Sequence, residues 1–283
     1  MPEQKYPETA FYDFEKNYQD AVDLVRSTFG DERADALLDA KGKSTRTDFT
    51  TAITWGWMLH RPLLSITDRA LILIGNEVAK GLIDAVLDHA QLAMSEGLDR
   101  EVVLEAIFLL TVYSGIPTSD RAMKEVERLI EDLDRGGWQP RVEPQPLPHV
   151  HEHNYYDFEE NFTNGVDISL ANAGGGNPGD REARLSRMGQ SSVGDFGAIH
   201  WGWIMQRPFL TPAQRSLVLI GSDTANKGYL ALKDHVRFGL RSGLSRDQIN
   251  EALFMLYMWN GWPANRQATV AVAELFEELD RKP

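Results

Sequence analysis

Apolar residues recur at helical spacing along both halves of the chain. Near the amino terminus, Phe14, Tyr18, Val22 and Val25 stand three to four residues apart, which is the spacing of one helix face. No stretch alternates apolar and polar residues as a half-buried strand does. A longer apolar stripe holds Leu71, Ile74, Val78, Leu82, Ala85, His89 and Leu92. We therefore predict an all-α fold whose helices pack as hairpins.

Residues that start and stop helices divide the first half into segments. Pro62 ends one helix. The sequence then predicts a single long helix from an N-cap at Thr67 to about Ser95, ended by Gly97. Asp99 caps a final helix pair, interrupted at residues 113–117. The second half has the same signals at Pro208, Thr211, Ser242, Gly243, Ser245 and residues 259–263.

The helix start and stop residues of the two halves correspond because the sequence repeats itself at a constant offset of 146. The segment 54–64, with its Trp-Gly-Trp core, returns as 200–210. The other matched pairs are Arg69 with Arg215, Asp88 with Asp234, His89 with His235, Glu105 with Glu251, and Gly115 with Gly261. A fixed-period echo of this length indicates duplication.

The repeat predicts two tandem helical domains related by a pseudo-two-fold axis, at residues 1–137 and 155–283. Between them, residues 138–154 contain Pro140, Pro144, Pro146 and Pro148. Such spacing predicts an extended, semi-rigid linker.

Composition narrows the function classes. The chain has 283 residues, 42% hydrophobic and 25% charged, which is enough for two ordinary globular domains. The absence of cysteine excludes disulfides, thiolate nucleophiles and dithiol redox chemistry. A formal net charge of −13 disfavours a nucleic-acid partner. Without a long apolar run or a signal core, we expect a cytoplasmic protein with no membrane partner.

His89 and His235 are the first candidates for chemistry, because each lies on the apolar stripe of its predicted helix. The small residues beside them, which would leave room for a ligand, are Gly81, Ala85, Gly228 and Ala231. The alternative is a core histidine hydrogen-bonded to a neighbour.

Arg69, Arg215, Glu105 and Glu251 admit two interpretations. They can form buried Arg–Glu pairs that lock helices together. Alternatively, the arginine binds a substrate carboxylate, while the glutamate orients the histidine or transfers a proton.

Aromatic residues are the candidates for pocket walls. Trp55 and Trp201 belong either to the core or to the wall of a flat unsaturated ligand. Tyr113 is matched by Trp259, so a phenol cannot be essential in both halves. His200 stands beside Trp201 where the first half has Thr54, which indicates that the two pockets differ.

Two further motifs are weak. His149, His151 and His153 lie on one side of an extended segment, but short histidine tracts in linkers bind metals weakly, and we expect no metal site. The stretch 172–179 lacks the Lys-Ser/Thr that closes a phosphate loop, so it predicts a surface insertion.

Taken together, these motifs resemble the γ-carboxymuconolactone decarboxylase family, which shares its helical fold with the AhpD alkylhydroperoxidases. The resemblance covers roughly residues 11–132 and 155–280. It is carried by Trp-Gly-x-x-x-x-Arg-Pro-x-Leu, then by Arg69, His89, Gly97, Glu105 and Tyr-x-Gly-x-Pro. The peroxidase branch has a Cys-x-x-Cys four residues ahead of the equivalent histidine, and this chain has no cysteine there.

The resemblance implies cofactor-free loss of CO2 from a small unsaturated acid or carboxylated lactone, as in aromatic-compound catabolism. It assigns a substrate carboxylate to Arg69 and Arg215 and proton transfer to His89 and His235, with Glu105 and Glu251 orienting. Trp55, Trp201, His200, Tyr113 and Trp259 would line the pockets.

Single-unit relatives form rings of three or six, so the resemblance also implies a homo-oligomer, a trimer of fused pseudo-dimers. An isomerase, or a non-catalytic member that binds a small molecule or only assembles, remains the alternative.

Overall fold

The structure, a computed structural model, describes residues 13–147, 157–172, 178–186 and 197–281. Helices account for every regular element within these ranges, which confirms the predicted all-α class. In the first half they are α1 (Phe14–Phe29), α2 (Asp31–Ala40), α3 (Thr45–Thr50), a π-helical segment (Thr51–Met58), α4 (Ile66–Lys80), α5 (Ile83–Ser95), α6 (Arg100–Leu109), a 3-10 turn (Leu110–Val112) and α7 (Ile116–Arg135).

The described part of the second half has a similar order, although its 3-10 turn directly follows the π-helical segment. Its elements are α8 (Phe158–Asn172), α9 (Pro178–Leu185), a π-helical segment (Ala198–Trp203), a 3-10 turn (Ile204–Gln206), α10 (Pro212–Asn226), α11 (Tyr229–Arg241), α12 (Arg246–Asn260) and α13 (Trp262–Arg281). The starts of α5 and α11 lie 146 residues apart, as do those of α6 and α12 and of α7 and α13. Duplication stays our interpretation of this recurrence.

The predicted long helix is wrong in both halves, because each is broken into two. Gly81 adopts a left-handed φ of 68° after α4, and Lys227 adopts a φ of 58° after α10. Leu82, expected on the buried stripe, is exposed at the break. The N-cap of α4 is Ser65 rather than Thr67, and Thr211 caps α10 as predicted.

Helices α4 and α10 cross at the centre of the molecule. Every residue from Ala70 to Val78 is buried, as is every residue from Arg215 to Thr224, because these helices are covered on all sides. Their backbones touch at two glycines. A Cβ added to Gly75 would lie 2.0 Å from the carbonyl oxygen of Val218, and one added to Gly221 would lie 2.0 Å from that of Ile72.

This crossing gives the two halves one shared hydrophobic core, which contains buried residues from α4, α5, α6, α7, α10, α11, α12 and α13. The domain boundaries at 137 and 155 stay predictions. The described part of the linker lies against the first half: the Val142 amide donates to the Ser95 carbonyl at 3.0 Å, and the Gln145 amide donates to the Gly97 carbonyl at 3.2 Å.

Glycine between the paired tryptophans lets the π-helical segments approach the first helix of each half. A Cβ on Gly56 would lie 1.8 Å from the carbonyl oxygen of Asn17 in α1, and one on Gly202 would lie 1.6 Å from that of Asn161 in α8. Trp55 and Trp201, which adjoin this close contact in the two halves, are partly buried and pack against the shared core.

Candidate active site

Each candidate histidine is fixed by a carboxylate from the neighbouring helix. Nδ1 of His89 in α5 lies 2.8 Å from Oε2 of Glu77 in α4. Nδ1 of His235 in α11 lies 2.6 Å from Oδ2 of Asp223 in α10. The helix breaks make both contacts possible, because in an unbroken helix groups 12 residues apart would be separated by about 18 Å.

Glu77 and Asp223, rather than Glu105 and Glu251, therefore orient the histidines. Sequence reasoning missed both. The available signal was an acidic residue 12 positions before the histidine in each half.

Aromatic residues from both halves surround each imidazole. The Trp55 ring stacks on His89 with centroids 5.5 Å apart, and Trp259 of the other half meets His89 edge-on at 6.3 Å. The ring of Trp201 lies 6.1 Å from that of His235. Both candidate sites thus lie where the two halves meet.

The His235 site has further polar groups that the His89 site lacks. The hydroxyl of Tyr113, from the first half, lies 2.9 Å from Nε2 of His235 and is also hydrogen-bonded to Nε2 of His200. At the equivalent positions around His89 stand Trp259 and Thr54. A connected chain, Asp223–His235–Tyr113–His200, therefore exists only at the second site among the described residues.

Burial determines the protonation states of the His200 and Tyr113 side chains. It lowers the pKa of His200 to about 3, with His235 adding to the effect, so His200 is neutral at pH 7. Burial and then Asp223 raise the pKa of Tyr113 well above its usual value, so the phenol keeps its proton. Tyr113 has one proton for two imidazole nitrogens, and consequently one of the two imidazoles must itself donate.

His89 has a different balance. Burial, the largest single effect, lowers the pKa of its imidazole. The charge and hydrogen bond of Glu77, together with smaller contributions from Asp88 and the Ala85 backbone, outweigh it, and the pKa is raised overall. No hydrogen bond joins its Nε2 to another described side chain.

The arginine–glutamate pairs form across the halves rather than within them. Glu251 accepts two hydrogen bonds from Arg61, at 2.7 and 2.9 Å, and one from Arg69 at 3.0 Å. The Arg69 side chain is 0% exposed and also donates to the carbonyls of Arg61 and Pro62. Arg69 thus has a buried carboxylate partner from the opposite half, and its role towards a substrate carboxylate stays a prediction.

The second pair mirrors the first. Glu105 accepts from Arg207 at 2.8 and 3.0 Å, and Nη1 of Arg215 lies 4.0 Å from its Oε1. Arg215 also donates to the carbonyls of Ile204, Arg207 and Pro208. Arg69 and Arg215, which the 146-residue repeat matches, therefore both already have acceptors within the protein.

Some sequence predictions lie outside the described residues: His149, His151 and His153, and most of the 172–179 stretch. Over the ranges that the structure does describe, no three His, Asp or Glu side chains are grouped to hold a metal ion. Within the same ranges, no helix is both long and apolar enough to cross a membrane.

Comparison with known proteins finds a family similarity in the second half of the chain. Residues 195–274 match the model of the Carboxymuconolactone decarboxylase family. The segment contains His200, Trp201, Asp223, His235 and Glu251.

Two relatives are similar to part of the chain. The chain is 24% identical over 121 residues to 4-carboxymuconolactone decarboxylase of Acinetobacter baylyi, covering 42% of this chain and 90% of that protein. It is 28% identical over 95 residues to nitrosuccinic acid decarboxylase npaB of Metarhizium robertsii, covering 34% of this chain and 64% of that protein.

Proposed function

We propose that the chain is a carboxy-lyase that removes CO2 from a small unsaturated carboxylic acid or carboxylated lactone without a cofactor. Both named relatives are decarboxylases of small carboxylic acids, which supports the reaction type. The observation that carries the proposal is the hydrogen-bonded series Asp223–His235–Tyr113–His200, in which Asp223 and His235 are buried and Tyr113 and His200 half-buried. Most of it lies in the family-matched segment.

The chemistry requires three things of the protein. As the bond between the carboxylate carbon and its neighbour breaks, CO2 leaves and the electron pair delocalises into a conjugated carbonyl. A hydrogen-bond donor must stabilise the resulting enolate oxygen, and an acid must then protonate carbon. Exclusion of water strengthens both interactions.

We assign these roles to the second site. His235, oriented by Asp223, transfers the proton, because its imidazole is buried and held at both nitrogens. The Tyr113 phenol is the donor to the enolate oxygen, since its raised pKa keeps it protonated. Trp201 and His200 form the wall. Arg69, Arg215, Glu105 and Glu251 act as structural groups that join the halves.

The test is CO2 release from a panel of unsaturated carboxylic acids and carboxylated lactones without added metal. His235→Ala should lower kcat/KM by about 100-fold or more, as expected for loss of a general acid. Tyr113→Phe should lower kcat more than it changes KM, because the phenol acts in the transition state. His89→Ala is the matched variant from the other half and should retain activity.

Circular dichroism must show that each variant is folded. Activity lost with His89→Ala but kept with His235→Ala would move the catalytic site to the first half. Activity that survives both changes would refute a histidine mechanism. If the wild type releases no CO2 from any substrate of the panel, the isomerase or binding alternatives are favoured.

We also propose that the chain is a homo-oligomer. In support, Leu230 and Trp262 are 84% and 65% exposed, and both border a groove of about 740 Å³ between α11 and α13. Such apolar exposure favours a partner surface. Light scattering of the purified chain tests the prediction of a trimer.

A further inference from the structure

A cavity of about 320 Å³ lies in the first half, between α1, α2, α3 and the π-helical segment. Its apolar wall consists of Val25, Leu37 and Trp55. Trp55 separates it from His89, on which the indole stacks. The volume falls at the lower end of the range for small-molecule sites.

The polar wall of this cavity is cationic. Arg33 and Arg46 both line it, and none of its lining residues is acidic. Arg33 is already committed, because it donates to both carboxylate oxygens of Asp88, at 2.8 and 2.7 Å. The Arg46 guanidinium has no hydrogen bond or ion pair with any described residue. The chain has a net charge of −13, so a positively charged Arg46 side chain without a described partner, next to an apolar wall, favours local binding of an anion.

Threonine hydroxyls complete the polar wall. Thr50 donates to the carbonyl of Arg46 at 2.7 Å and so fixes the backbone that carries the guanidinium. Thr51 is buried and lines the cavity, and its hydroxyl has no partner within the described part of the chain. A guanidinium, a hydroxyl and an indole thus line one cavity, which suits a molecule with one charged end and one flat apolar end.

We propose that this cavity binds a small organic carboxylate, with the carboxylate on Arg46 and the apolar part against Trp55 and Leu37. A guanidinium can hold both oxygens of a carboxylate through charge-assisted hydrogen bonds. The site is distinct from the Tyr113–His235 cluster, so the proposal stands independently of whether that cluster decarboxylates a substrate.

Calorimetric titration with benzoate and its neutral isostere benzamide tests the site. The wild type should bind benzoate at least about 10-fold more tightly than benzamide. Arg46→Gln should weaken the affinity for benzoate by about 10-fold or more, because the charged contact is lost. The affinity for benzamide should be unchanged. Arg46 is exposed, so this variant should fold normally.

Two matched variants make the result specific. Arg121→Gln removes the same charge from an exposed position outside the cavity and should bind benzoate as the wild type does. Tyr113→Phe alters the other site and should also leave benzoate binding unchanged.

Three results would overturn the proposal: no benzoate binding to the wild type at millimolar concentration, equal benzoate affinity in Arg46→Gln and wild type, or loss of binding in Tyr113→Phe instead. The last would place the anion at the His235 site. CO2 release is measured separately, so failure of the decarboxylase proposal would leave this titration interpretable.

Discussion

Each buried histidine is held by a carboxylate through Nδ1, but the second ring nitrogen differs between the two sites. Nε2 of His235 meets the Tyr113 hydroxyl at 2.9 Å, whereas Nε2 of His89 has no described side-chain partner. Thus two imidazoles at equivalent positions have different proton-transfer routes.

Glu77→Gln is expected to lower the pKa of His89, because burial lowers it and the Glu77 carboxylate reverses that effect. The folded-state pKa of His89 is raised above the unfolded value. The contribution of Glu77 to the free energy of unfolding is therefore fully present below about pH 6.5 and is lost as pH rises through the raised pKa. Urea unfolding across a pH series, with NMR titration of His89, measures both quantities.

The difference in unfolding free energy between wild type and Glu77→Gln should be largest near about pH 5.5 and smaller near about pH 8. Asp88→Asn is the control, because Asp88 adds a lesser charge effect on the same imidazole. A difference that is constant with pH would contradict this electrostatic role.

At the residue scale, sequence identified the histidines and tryptophans but not the groups that hold them. The repeat singled out His89 and His235 because matched polar residues stand out. It could not pair them with Glu77 and Asp223, since the expected continuous helix places those carboxylates out of reach. The Tyr113–His200 contact joins the two halves and leaves no trace in either repeat alone.

At the scale of elements, two helix crossings determine where the sites form. Helices α4 and α10 meet at Gly75 and Gly221, and each π-helical segment meets the first helix of its half at Gly56 or Gly202. Apolar periodicity predicted helices throughout, but it missed the breaks at Gly81 and Lys227. It could not predict which helices cross, because glycine close contacts do not alter that periodicity.

Gly75→Ala should destabilise the protein by about 1–3 kcal/mol or more, because the new Cβ would lie 2.0 Å from the backbone oxygen of Val218, which cannot move without shifting α10. Chemical unfolding measures the change.

The matched control is Gly136→Ala. Its Cβ would meet nothing closer than 3.4 Å, so the change should stay within about 0.5 kcal/mol of wild type. Equal stability of the Gly75 and Gly136 variants would contradict the close crossing of α4 and α10.

At the scale of the whole molecule, ion pairs join the two halves, and each half supplies a glutamate that binds arginine of the other. Glu251 of the second half binds Arg61 and Arg69 of the first, and Glu105 of the first half binds Arg207 of the second. The sequence predicted Arg–Glu pairing, but residue spacing alone could not show that the partners are exchanged.

Glu251→Gln should cost about 3–5 kcal/mol of unfolding free energy, because it leaves the fully buried Arg69 guanidinium without its counter-charge. Glu105→Gln should cost less. Its main partner, Arg207, has a side chain that is 22% exposed, against 9% for Arg61, so water can solvate the released charge. Parallel urea titrations compare the two, and an equal or reversed order would contradict this ranking.

The joining of both halves in one chain has a consequence for chemical diversity. Identical subunits that meet around a two-fold axis must present the same groups at both of their junctions. Here Tyr113 contacts His200 at one junction. The equivalent positions of the other junction hold Trp259 and Thr54. Covalent linkage lets each molecule keep two dissimilar junctions in a fixed one-to-one ratio, so a substitution can alter one junction without altering its counterpart.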